Sequence, residues 1–224
     1  MAQMSQAAGK LILQGQEAER HGDHRHAREL YESALTESRK TNDLWGEAQA
    51  LQELAGLAVT FENDLSAGQL LYDKSLKIYR RLGNDRGCAY SIAGLASVAR
   101  RRGNLDIALK HFTQALSVFE KTSDKHGQAV VLHEIGLLDR QKGDYVSAER
   151  HFRQCLLLFQ SLGNKSALAQ MLLSLGNVNI EYHKDMQQAA LLFGQALVLF
   201  EELGLSNEAA KARHNLEYAR NQQT

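Results

Sequence analysis

Proline is absent from all 224 residues, although 17 glycines are present. Proline breaks helices but is tolerated in loops and strand edges, so its absence suits a chain that is helical almost throughout. Cysteine is nearly absent too. Cys88 and Cys155 lie far apart, give no disulfide framework, and fit a reducing compartment, read here as the cytoplasm. No run of about eighteen apolar residues occurs, so no helical membrane span is expected. The opening MAQMSQAAGK lacks the charged-then-apolar order of a secretion signal. An excess of charge is also missing: 26 Lys+Arg balance 26 Asp+Glu. That argues against a nucleic-acid partner, whose phosphates demand a basic face. What is present is 44% hydrophobic and 23% charged residues. A chain of this size buries roughly 70% of its unfolded surface.

The order within that composition is periodic. A turn pair recurs as Gly22-Asp23, Asn63-Asp64, Gly103-Asn104, Gly143-Asp144 and Lys184-Asp185, at steps of 41, 40, 40 and 41 residues. Five positions after each turn stands a small residue: Ala27, Gly68, Ala108, Ala148 and Ala189. Four further on comes an aromatic: Tyr31, Tyr72, Phe112, Phe152 and Phe193. A second small residue follows (Ala34, Ser75, Ala115, Cys155, Ala196), and then a leucine in all five units (Leu35, Leu76, Leu116, Leu156, Leu197). Offsets of 4, 3 and 1 place these side chains on one helical face. Upstream of each turn another small column reads Gly15, Gly56, Ala96, Gly136 and Gly176.

Each unit therefore reads as two antiparallel helices, with repeats at about 6–42, 43–83, 84–123, 124–163 and 164–205. Glycine after a second helix supplies a left-handed cap, and the next Asn, Asp or Ser caps the following helix. The aromatics are expected to fill the space between units. No such unit buries its apolar face alone, so stacking creates one continuous core across a single domain of residues 1–224. The final stretch, about 206–221, has an apolar stripe of Ala209, Ala212, Leu216 and Ala219, and reads as a solvating cap helix.

These columns resemble the tetratricopeptide repeat, in the longer form of about forty residues found in kinesin light chains, Pins-type adaptors and bacterial regulators. The phrase LGN at 162–164 and 175–177 is typical of it. The resemblance implies an all-α, right-handed α-α superhelical solenoid of about five helix pairs plus a cap. It also implies that the first helices line a concave groove. Carried onto this chain, the groove residues are Leu57, Phe61, Tyr90, Ser97, Arg100, Arg101, His133, Leu137, Arg140 and Asn177. Arginines in neighbouring repeats would fork onto carboxylates of a partner. The competing reading of ARRRGN is a solvated helix end whose cations offset the helix terminus. The asparagines and lysines of a chaperone-type carboxylate clamp are missing, apart from Asn177.

Histidines 21, 24 and 26 sit beside Asp23 and invite a metal reading. His24, however, takes the place of Leu65, Leu105, Tyr145 and Met186, so it covers apolar surface. His24 and His26 point to different helical faces, and zinc needs convergent ligands with regular spacing. No metal or cofactor is expected. His111 and His151 replace Leu30, Leu71 and Leu192 and read as packing residues. Cys155 reads as a small core thiol, because the pattern fixes no base beside it. With no catalytic set, the expected function is a non-enzymatic scaffold that binds a protein or peptide segment, with acidic and apolar side chains, in the groove. The alternative is the regulatory or sensor part of a signalling or transcriptional regulator. LLLF at 156–159 and LVLF at 197–200 would either pair chains into a homo-oligomer or face the next unit as core.

Overall fold

A computed structural model describes residues 5–222. Every described element is helical, and the chain divides between Thr122 and Ser123 into two compact units. The first unit holds α1 (Gln6–Arg20), α2 (His24–Lys40), α3 (Leu44–Thr60), α4 (Leu65–Arg81), α5 (Asp85–Arg101) and α6 (Leu105–Lys121). The second holds α7 (Lys125–Gln141), α8 (Tyr145–Ser161), α9 (Lys165–Val178) with a π-helical turn at Asn179–His183, α10 (Met186–Glu202) and α11 (Ser206–Asn221). Within each unit, successive helices pack on one another in chain order.

Side-chain caps set the helix starts. Asp43, Asn84, Asp124 and Asn164 accept from the backbone N–H three residues on, and so open α3, α5, α7 and α9. Asp23, Asp64, Asp144 and Asp185 do the same for the second helices of their repeats. Each cap satisfies an orphan donor and contributes about 1 kcal/mol. Left-handed backbone ends the helices. All five turn positions, Gly22, Asn63, Gly103, Gly143 and Lys184, have positive φ of 56–82°, and Asn42, Gly83, Ser123, Gly163 and Gly204 repeat the device after the second helices.

The 41-residue steps have a backbone explanation. Asp23, Asn104 and Asp144 return their N–H to a carbonyl five residues back, at Ala18, Ala99 and Asp139. Asp64 and Asp185 reach six back, to Ala58 and Asn179. The extra residue of the second and fifth repeats is thus absorbed as a widened turn at the end of the first helix, openly π-helical in the fifth.

That location corrects one column. Leu57 lies as far from its cap Asp43 as Val98, Leu138 and Val178 lie from theirs, and all four are buried. The small residue of the second repeat is therefore Ala55, 0% exposed, rather than Gly56. The core of the first unit gathers Ile12, Ala27, Tyr31, Ala34, Ala50, Leu54 and Leu57. In the second unit, Phe152, Phe159, Met171 and Leu175 form one cluster, and Phe193 and Leu216 belong to another under α11. The aromatics fill the space between units as expected: Tyr31 clusters with Leu54 and Leu57 of the next repeat, Phe152 with Met171 and Leu175, and Phe193 with Leu216 of α11. Tyr31, Phe152 and Phe193 press on Gly15, Gly136 and Gly176 of their own repeats, where an added Cβ would fall 2.4–2.6 Å from the ring. The Tyr72 ring lies against Gly94 of the next repeat.

Candidate functional site

The stripe on each first helix that carries the expected groove residues is unevenly accessible. On α5, Tyr90, Ser97 and Arg100 share a face at helical spacing and are half-buried. On α7, Val130, His133, Leu137 and Arg140 repeat that stripe and are again half-buried. Leu173 and Asn177 continue it on α9. These residues are partly exposed.

Two expected groove residues are corrected. Leu57 is 1% exposed and belongs to the core, because the extra residue lies after it and not before it. Phe61 is 45% exposed, but its ring stacks on His24 with centroids 3.4 Å apart, so one face is already covered. His24 does cover apolar surface.

The arginines differ from one another. Arg101 donates to the Val59 carbonyl and, at 3.0 Å, to Asn63 Oδ1. It tethers the end of α3. Arg102 donates to Gln69 and Ser66 in the same way. Arg140 lies 3.6 Å from Glu181 and is half-buried. Arg100 is half-buried on the Tyr90 face. The Tyr90 ring leans on Phe119 at 4.6 Å, with the Arg86 guanidinium 5.8 Å from its centroid. His133 is tilted over Phe152 at 5.8 Å, and Leu137 packs on the Phe152 cluster.

A polar group that the column reading passed over lies on α1 and α3. Gln16 Nε2 donates to Glu53 Oε1 at 2.7 Å, and the Tyr31 hydroxyl donates to Glu19 Oε2 at 3.0 Å. Burial pushes the Glu53 carboxyl up to about 7; the Gln16 hydrogen bond opposes the rise and the Glu19 charge adds to it.

Cys155 is not activated as a nucleophile. Burial pushes the Cys155 thiol up to about 12, and its Sγ donates to the Ala129 carbonyl at 3.0 Å. Ser75, in the same column, donates to Ala48 at 2.8 Å. In these two repeats the column residue makes a structural hydrogen bond from second helix to first. Among the described residues, no three His, Cys, Asp or Glu side chains converge as a metal site, and no helix is long and apolar enough to cross a membrane.

Helix pairs stacked in chain order, each with a small-residue and an aromatic column, define a helical-repeat protein. The tetratricopeptide repeat family model matches residues 85–161 and 127–202, which together cover more than half of the chain. The chain belongs to the tetratricopeptide repeat family. A comparison with curated proteins finds no match. Among solved structures, a Rap protein complexed with competence and sporulation factor is similar, with a TM-score of 0.71 and 15% identity over 96% of this chain and 75% of that one. BtubC from P. vanneervenii has a TM-score of 0.63 and 20% identity over 88% and 80% of the two chains. A signal transduction ATPase with a tetratricopeptide repeat sensor from Pyrococcus horikoshii has a TM-score of 0.67 and 16% identity, over 95% and 32%. At these identities the likeness concerns the fold.

Proposed function

We propose that this chain is a non-enzymatic, cytoplasmic scaffold whose first helices receive a peptide or protein segment. The observation that carries this reading is the α7 stripe. Val130, His133, Leu137 and Arg140 stand on one face, half-buried, with apolar, aromatic and cationic character in sequence. Such a surface suits a segment that brings apolar side chains and a carboxylate. Arg140 already touches Glu181, so an incoming carboxylate would exchange with it at little electrostatic cost. The solved Rap complex, in which a protein of this fold holds a signalling factor, supports the same reading by analogy. A second reading, a sensor module of a larger signalling protein, is favoured by the likeness to the ATPase sensor.

The test is site-specific photo-crosslinking in host cells. A benzoylphenylalanine placed at Ser97 or Asn177, on first helices, is compared with one at Gln114 or Gln195, exposed on second helices. Discrete adducts from the first pair alone are expected, and Leu137→Asp should abolish them. Adducts from the second pair alone would move binding to the opposite face and overturn the proposal.

A further inference from the structure

Cations crowd the second half of α4. Lys74, Lys77, Arg80 and Arg81 are all exposed, and among the described residues none of them makes an ion pair. The helix carries one acid, Asp73, which pairs with none of them. On α2 the arrangement is the opposite: Arg25 lies 3.4 Å from Glu29, Arg28 3.3 Å from Glu32, and Arg39 2.9 Å from Glu47. Arg80 and Arg81 sit in the last turn of α4, where cations offset the negative helix terminus. Lys40 and Lys121 hold the place of Arg81 in the flanking repeats, so that end is common to all three. Lys74 and Lys77 stand mid-helix, outside the last turn to which that effect is confined. Their counterparts are Ser33 and Thr36 on α2 and Gln114 and Ser117 on α6, so the flanking repeats bring no carboxylate to these two columns.

Leu70, Lys74, Lys77 and Arg81 follow one another at steps of 4, 3 and 4, which aligns them along one edge of the helix for about 16 Å. Leu70, at the head of that line, is 56% exposed. Spacing of this kind is the seam along which a second helix packs. We propose that the outer face of α4 docks a helical segment of another protein, with carboxylates at the matching steps and an apolar side chain over Leu70. The basic line is one helix wide. The neighbouring α2, which shares an apolar cluster with α4 through Leu35 and Leu71, has its arginines already paired. A nucleic-acid duplex or an anionic bilayer calls for a broader basic face, whereas one acidic helix needs no more than this line. Each exposed pair contributes little alone, so docking requires several at once and weakens as salt screens them. The face belongs to a second helix and includes none of the groove residues, so this inference stands apart from the groove reading.

The experiment is fluorescence anisotropy with the full chain. The probe is a fluorescein-labelled, hydrocarbon-stapled helix of about four turns, with Glu at steps of 4, 3 and 4 and a leucine beside the first. Wild type should bind it, several-fold more weakly at about 300 mM than at about 50 mM salt. The same helix with Gln for Glu should bind at least about tenfold more weakly. Lys74→Glu/Lys77→Glu should cost about tenfold or more, whereas Lys211→Glu/Arg220→Glu, the same charge change at exposed positions of α11, should cost less than about twofold. Leu137→Asp should bind as wild type does. If the α4 reversal does not fold, Lys74→Gln/Lys77→Gln replaces it and should cost about threefold or more.

No binding by wild type overturns the proposal, as does unchanged binding when the two lysines are replaced. Equal losses in the α4 and α11 variants overturn it too, since net charge alone would then be the cause. If Leu137→Asp loses binding and the lysine variants do not, the probe occupies the groove, and this inference falls while the groove reading stands. Tighter binding of a short DNA duplex or of phosphatidylserine vesicles, lost with the same two lysines, would assign the face to phosphates instead.

Discussion

Tyr182 stacks on Tyr145, with ring centroids 5.7 Å apart and planes 16° from parallel. Phe61 stacks on His24 in the corresponding place of the first unit. In both, the outer ring comes from the widened turn of a 41-residue step, and the inner one opens the second helix of the preceding repeat. A polar pair accompanies each stack. Arg28 binds Glu62, and His183 lies 2.9 Å from Glu149, so the acidic member changes sides between the two. The extra residue thus serves as a strut between repeats. A double-mutant cycle of Tyr145→Ala and Tyr182→Ala, read by urea unfolding, should give a coupling of about 0.5–1.5 kcal/mol. Zero coupling would reduce the stack to a surface coincidence.

Gly56 and Gly176 occupy one column by sequence but not by structure. A Cβ on Gly176 falls 2.4 Å from the Phe193 ring, whereas one on Gly56 meets only the Tyr72 hydroxyl, at 3.7 Å. Gly176→Ala should overpack and cost about 1–3 kcal/mol. Gly56→Ala should gain up to about 1 kcal/mol, the ordinary helix-propensity difference. Thermal unfolding of the two variants decides it, and equal losses would restore Gly56 to the column.

This pair marks how far the sequence could be read. Helix pairs, caps and the column of Ala27, Ala108, Ala148 and Ala189 were visible because each repeats at fixed offsets and is buried for one reason. The register of the second repeat was not visible. Ala55 and Gly56 are both small, and only the carbonyl that Asp64 bonds shows where the extra residue went. Leu57 and Phe61 were misplaced for the same reason. The Glu19–Glu53 pair was hidden differently. Each carboxylate is ordinary alone, and the two stand on different helices, 34 positions apart in the chain.

Lys184 closes the π-helical turn with φ of 57°, where Gly22, Gly103 and Gly143 hold the same turn position in other repeats. A side chain in left-handed backbone costs about 1–2 kcal/mol, partly offset by the greater freedom glycine has when unfolded. Lys184→Gly should therefore stabilise the second unit by up to about 1 kcal/mol, even though it forfeits the Lys184 contact to the Glu181 carbonyl. A shift in urea midpoint at constant slope measures this.

His151 and His111 stand at one position of successive repeats, with opposite fortunes. His151 Nδ1 meets Asp139 Oδ2 at 2.7 Å. The residue in the place of Asp139 one repeat earlier is Ala99, and His111 Nδ1 is buried with no hydrogen-bond partner. Leaving a buried polar atom unpaired costs about 1–3 kcal/mol. Asp139→Ala should therefore destabilise by roughly that amount, since it gives His151 the fate of His111. His111→Leu, which restores the leucine of Leu30, Leu71 and Leu192, should stabilise by roughly 1 kcal/mol or more. Ala99→Asp tests the same account from the other side. If the orphan nitrogen is the cause, supplying a carboxylate beside His111 should be tolerated, whereas Ala99→Asp in the His111→Leu background should be strongly destabilising, with an unpaired carboxylate pressed on a leucine. Equal effects of Ala99→Asp in the two backgrounds, measured by chemical denaturation, would show that the histidines are not reading their partners at all.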